Sequence, residues 1–111
     1  MEIREERQGA VTVLRPIGPL LAPDVPELRA RLEGSLRASL GRFALDASAI
    51  PFTDSAGLEA LLDAGDAVAA TGQVLKLCGV ADTVREVLDL TGLTSAFDFY
   101  EDVDSAARSF L

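Results

Sequence analysis

The period at which apolar residues recur along this chain changes several times, and each change marks an element. The opening EIREE sets an apolar residue among charged ones, RQG reads as a turn, and AVTVLRP is a mostly apolar run. Two strands joined by a short glycine-containing loop are predicted there, as a hairpin. Pro16, Gly18, Pro19 and Pro23 then interrupt regular structure across PIGPLLAP. From Asp24 the period becomes helical. Val25, Leu28, Leu32 and Leu36 form one stripe, Arg29, Arg31, Glu33 and Arg37 fall largely off it, and Gly41 is a natural stop. Asp24 is placed to cap this helix, Glu27 completes a capping-box spacing, and Pro26 is tolerated in the first turn.

RFALDAS and VLKLCGV are short apolar runs that fit strands buried on both faces. Between them Leu58, Leu61, Leu62, Val68 and Ala69 recur at helical spacing, and Gly72 ends the helix. Gly65 falls on the same face, which implies close packing against the sheet. DTVREVLDLTG repeats the scheme, with Val84, Val87, Leu88 and Thr91 on one side and Gly92 as stop. FDFYE is a last strand, and DVDSAARSFL a closing helix with Val103, Ala106, Ala107 and Phe110 inward and Asp102 and Asp104 as caps. The order is strand, strand, helix, then strand-helix three times. Strands alternating with helices imply parallel crossovers. The fold class is therefore α/β: a single-domain sandwich over residues 1–111, with a mixed, mostly parallel β-sheet and about four helices.

Composition narrows the chemistry. Hydrophobic residues make up 49% of the chain, enough for a core of its own. No apolar run approaches the roughly 20 residues that cross a bilayer, so no membrane insertion is expected. The charged N-terminus has no apolar stretch of the kind a secretory signal needs. A lone Cys78 excludes an intramolecular disulfide, reads as a small core hydrophobe, and fits a reducing, cytoplasmic setting. The absence of histidine removes Ser-His-Asp and Cys-His catalysis, and with one cysteine it removes the usual zinc sites. A net charge of −8, no tryptophan and one tyrosine argue against nucleic acid as partner. The expectation is a chain that is not an enzyme, needs no cofactor, and acts through another protein.

One stretch carries candidate chemistry: IPFTDSAGLEALLDAG, residues 50–65. In open α/β sheets functional groups collect beyond the carboxyl ends of the strands. Asp46-Ala47-Ser48 ends one strand, and Thr53, Asp54, Ser55, Ala56 and Gly57 open the next helix. Ser55 supports two readings. Serine and aspartate are favoured helix caps, so Ser55 can be a cap and nothing more. It can equally be a phosphate acceptor, since unpaired amides and the helix dipole stabilise an anion at a helix start by about 0.3–1 kcal/mol. A phosphoserine brings a charge of about −1.5 to −2. Beside Asp54 it would leave the fold intact and change the surface. Gly57 removes a side chain that would crowd another backbone. Asp46 either contacts a partner or a kinase-bound cation, or accepts hydrogen bonds from loop amides. Leu20 and Leu21 are either core residues or an exposed apolar patch.

FALDAS followed by IPFTDSAGLEALL, then GQVLKLCGV, VLDLTGL and FDFYEDVDSA in order, resembles the STAS domains, and among them the bacterial anti-sigma factor antagonists. The resemblance runs from AVTVLRPIG to the C-terminal helix. Many antagonists carry a polar, acid-bearing Gly-x-(Leu/Ile)-Asp stretch where this chain has GPLLAPD. The resemblance implies that Ser55 is the phosphoacceptor, with Asp46, Ser48, Thr53, Asp54, Ala56 and Gly57 as its supporting, partner-binding surroundings. It implies partner switching in a stress response or another programme of transcription regulation. The unmodified protein would bind an anti-sigma factor with serine kinase activity and free a sigma factor. Phosphorylation by that kinase would end the contact, and a PP2C-type phosphatase would restore it. The alternative is a constitutive structural STAS subunit of a stressosome-like or lipid-transport complex, in which Ser55 is only a cap.

Overall fold

The computed structural model describes residues 1–111. Two seven-residue strands open the chain, β1 (Glu2–Gln8) and β2 (Val11–Ile17), paired antiparallel from Glu2↔Ile17 to Gln8↔Val11. Gly9 makes the tight turn between them at φ +62, in the left-handed region that suits glycine. There follow α1 (Val25–Ala38), β3 (Phe43–Asp46), α2 (Ser55–Ala69), β4 (Leu75–Cys78), α3 (Asp82–Leu90), β5 (Phe97–Tyr100) and α4 (Val103–Arg108). The sheet order is β1-β2-β3-β4-β5, and every pair after the hairpin is parallel. The fold is the predicted α/β sandwich, with a mixed, mostly parallel sheet.

Alternation along the strands separates two apolar layers. Leu14, Leu45, Leu75, Leu77 and Phe97 point to one face, where they meet Leu28 and Leu32 of α1, Leu61 and Val68 of α2, and Val84 and Leu88 of α3. Each leucine taken fully out of water there contributes roughly 1.5–3 kcal/mol. Val11, Val13, Ala44 and Cys78 point to the other face, under Ala106 of α4. Both alanines are fully buried, so a short helix lies close to the central strand. Leu20 is also fully buried and Leu21 half-buried, which makes the first a core residue.

Several local expectations are corrected. Asp24 does not cap α1. A 3-10 turn, Ala22–Asp24, carries the chain into the helix, and the Asp24 carboxylate bends back to accept a hydrogen bond from the Leu21 amide at 3.2 Å. Ala69 is exposed, whereas α2 turns Gly57, Ala60, Leu61, Gly65 and Val68 inward. Small residues lie on that face because the helix sits close to its neighbours. A side-chain atom on Gly65 would come within 3.1 Å of the Phe97 ring. Thr91 is exposed and donates its hydroxyl back to the Val87 carbonyl. Asp102 caps α4 by accepting from the Ser105 amide at 2.8 Å, while Asp104 accepts instead from the Gln8 amide group.

Candidate functional site: the start of α2

Because β2 to β5 are parallel, their carboxyl ends share one edge of the sheet, and the loops after them form one surface. The loop after β2 and the loop after β3 are laced together there. Gly18 donates its amide to the Ala49 carbonyl at 3.0 Å, and Leu20 donates to the Phe52 carbonyl at 3.1 Å. Leu20 and Thr53 form an isolated parallel bridge. The Thr53 hydroxyl donates to the Leu20 carbonyl at 2.9 Å, and the Asp54 amide approaches the same oxygen at 3.3 Å. Thr53 is therefore an internal clamp, half-buried.

Asp54 occupies the N-cap of α2 with extended backbone. One carboxylate oxygen accepts from the Gly57 amide at 2.9 Å, and the other accepts from the Ala22 amide at 2.9 Å. These two hydrogen bonds, the Gly57 one first, hold the Asp54 carboxyl below the usual carboxylate range. The cap reading considered for Ser55 thus belongs to its neighbour. Ser55 is the first residue of the helix and is exposed. Of the amides expected to receive an anion at this helix start, that of Gly57 is already engaged by the Asp54 carboxylate. A group added to Ser55 would stand in solvent beside that carboxylate.

Gly57 is buried, and a Cβ placed on it would lie 2.6 Å from the Leu20 carbonyl oxygen. No side chain fits at that distance, so glycine is what lets α2 and the loop after β2 meet. Ala56 is half-buried beside it. Asp46 and Ser48 form a second, separate cluster. The half-buried Asp46 carboxylate accepts from the Ser48 amide at 3.0 Å, and its other oxygen lies 3.8 Å from Arg15 Nε. Of the two roles open to Asp46, the hydrogen bond to a loop amide is present. Ser48 is exposed and packs against Gly79, where an added Cβ would come within 2.9 Å of its own Cβ. No group of three or more His, Cys, Asp or Glu side chains gathers to hold a metal ion.

Three participants escape a reading of the motif. Thr83, in the first turn of α3, donates its hydroxyl to the Pro51 carbonyl at 2.5 Å. Ala22 supplies an amide from 32 positions upstream. Phe52 stands outside the core, 52% exposed. Only the exposed Phe52 carries a local signal, as an apolar residue in a stretch with no period of its own.

The STAS domain family model matches residues 2–106. The chain belongs to the STAS domain family. No curated protein matches it in sequence. Among solved structures, TM1081 of Thermotoga maritima, put forward as an anti-sigma factor antagonist, superposes with a TM-score of 0.86 over 96% of this chain and 92% of that one, at 18% identity. The anti-sigma factor antagonist SpoIIAA in its unphosphorylated form gives 0.73 over 98% and 96%, at 17% identity. SpoIIAA, a Bacillus cell fate determinant, has also been solved in a phosphorylated form. A sulfate transporter family protein from Wolinella succinogenes gives 0.70 over 93% and 85%, at 23% identity. At such identities the likeness is one of fold, and this STAS fold occurs in antagonists and transporters alike. No helix of this chain is long and apolar enough to cross a membrane.

Proposed function

We propose that this STAS domain is an anti-sigma factor antagonist working by partner switching at Ser55. The observation that carries the reading is the division of labour at the start of α2. Asp54 takes the cap, and Ser55 is left exposed on a helix whose packing does not need its hydroxyl. A serine so placed can be modified without disturbing the fold that presents it.

In this reading the unmodified edge binds an anti-sigma factor that is also a serine kinase. The Ser55 oxygen attacks the γ-phosphorus of ATP held by that kinase. The bond to ADP breaks, and the hydroxyl proton passes to the kinase, since this chain has no histidine to receive it. The added charge of about −1.5 to −2 then stands beside the Asp54 carboxylate. Turning a contact from 99% bound to 99% free takes about 5.5 kcal/mol. A dianion that must be desolvated without a partner supplies several kcal/mol of that, so one phosphate suffices. A PP2C-type phosphatase would hydrolyse the phosphoester with water and release inorganic phosphate, restoring the binding form. Catalysis belongs to those partners, and this chain contributes the nucleophile and the surface.

The test uses immobilised wild-type protein and Ser55→Glu as baits in lysate of the source cells, followed by ATP treatment of any kinase retained. Capture of an ATPase-fold kinase by the wild type alone, with phosphate found on Ser55 by mass spectrometry, supports the proposal. Retention of one large assembly by both baits sinks it and assigns the domain a structural role.

A further inference from the structure

Phe52 is the large apolar side chain that the Ser55 edge leaves outside the core. The exposed large hydrophobic residues of the protein are Leu40, Phe52, Val74, Leu90 and Leu111. Leu40, Leu90 and Leu111 lie at or after the ends of α1, α3 and α4, and Val74 immediately precedes β4, all toward the opposite edge of the parallel strands. Phe52 alone lies where the strands end, three positions before Ser55.

Its exposure is not looseness. The Pro51 carbonyl accepts from the Thr83 hydroxyl at 2.5 Å, the Phe52 carbonyl from the Leu20 amide at 3.1 Å, and Thr53 is clamped to Leu20. Two separate parts of the fold thus hold three consecutive residues, while the ring joins neither apolar cluster. An aromatic ring on a backbone already fixed loses little entropy on being buried by a partner, which is the character of an interface hot spot.

The surroundings state the other half of the complement. The loops and helix starts at this edge, residues 18–24, 47–54, 79–82 and 101–102, carry Asp24, Asp54, Asp82, Glu101 and Asp102. Against them stand two neighbouring cations, the Met1 ammonium 3.5 Å from Asp24 and Arg85 over the Phe99 ring. We infer that Phe52 is the apolar anchor of the partner interface, seated in a pocket of the anti-sigma kinase that takes one phenyl ring and is bordered by basic side chains. This rests on the antagonist reading and accounts for the direction of the switch. If the contact were ionic alone, more negative charge on an acidic edge would tighten it. With a ring inserted three positions away, a phosphoryl group on Ser55 must be stripped of water against a close-packed surface, and binding is lost.

Calorimetric titration of the purified anti-sigma kinase into wild type, Phe52→Ala and Leu90→Ala tests the anchor, with melting curves run on each variant. Phe52→Ala should bind about 30-fold or more weakly, retain the wild-type melting temperature because the ring is outside the core, and show the same deficit at high salt. Leu90→Ala, at the opposite edge, should bind as wild type. Binding of Phe52→Ala within twofold of a wild type that phosphorylation still releases overturns the anchor and leaves the antagonist reading standing. A wild type that no anti-sigma kinase binds overturns both.

Discussion

Gly57 and Leu20 meet so closely that a Cβ on the glycine would stand 2.6 Å from the leucine's carbonyl oxygen. The neighbour is backbone held by Thr53 and cannot step aside at little cost. Gly57→Ala should therefore destabilise the protein by about 1–3 kcal/mol as an overpacked site, although alanine is the better helix former. Gly34, on the exposed side of α1 with nothing within 4 Å of an added Cβ, is the contrasting case. Gly34→Ala should stabilise by about 0.5–1 kcal/mol. Denaturant melts of the two variants read the sign directly.

Acid should loosen the same corner. Asp54 is held below the ordinary aspartate value by the Gly57 amide and then the Ala22 amide, and Asp102 by the Ser105 amide. The folded state thus favours the ionised carboxylates. Their contribution is present above the ordinary value of about 3.9 and is lost as pH falls through the lower folded values. The melting temperature should drop on going from pH 5 to pH 3, and less steeply in Asp54→Ala, which should already melt lower at neutral pH.

Ser55→Glu should barely change stability. An acid in the first turn gains from the helix dipole, and the adjacent Asp54 carboxylate opposes that gain, for a net effect under about 1 kcal/mol either way. Coincident melting curves would show that loss of partner binding in this variant is a surface effect. A large fall in melting temperature would contradict the exposed position of Ser55.

Cys78 should be silent to thiol reagents while the protein is folded. Burial first, and then the Asp46 and Asp102 charges, push its thiol up to about 12, against about 8.5 for a free cysteine. Its thiolate is scarce at pH 8, and the sulfur has no exposed surface. Reaction with a chromogenic disulfide should follow global unfolding, and labelling that is fast in native buffer would contradict the buried strand.

Much of this fold was legible because periodicity reports burial. Alternation and apolar runs marked β1 to β5, and the 3.6-residue stripes marked α1 to α4. Errors fell where a residue's role depends on how the chain turns and packs and not on its spacing alone. Asp24 precedes an apolar stripe as a cap would, but the 3-10 turn before α1 redirects its carboxylate to Leu21. Ala69 has the right spacing for burial, yet the inward face of α2 is set by how closely the helix approaches Phe97 and Leu20, which favours the glycines and Ala60.

The sequence by itself determined the order of elements, the parallel crossovers, and the placing of Asp46, Asp54 and Ser55 on one edge. These follow from local spacing and from the rule that parallel strands end together. Only the tertiary structure decided which of two good capping residues is the cap. Asp54 wins because Ala22, 32 residues upstream, brings a second amide to its carboxylate. It also decided that Phe52 stays outside, because the Leu20 amide holds its carbonyl and the Thr83 hydroxyl holds that of Pro51 before it, where the core cannot take the ring. Such contacts join residues far apart in the chain, and no local pattern of polarity encodes them.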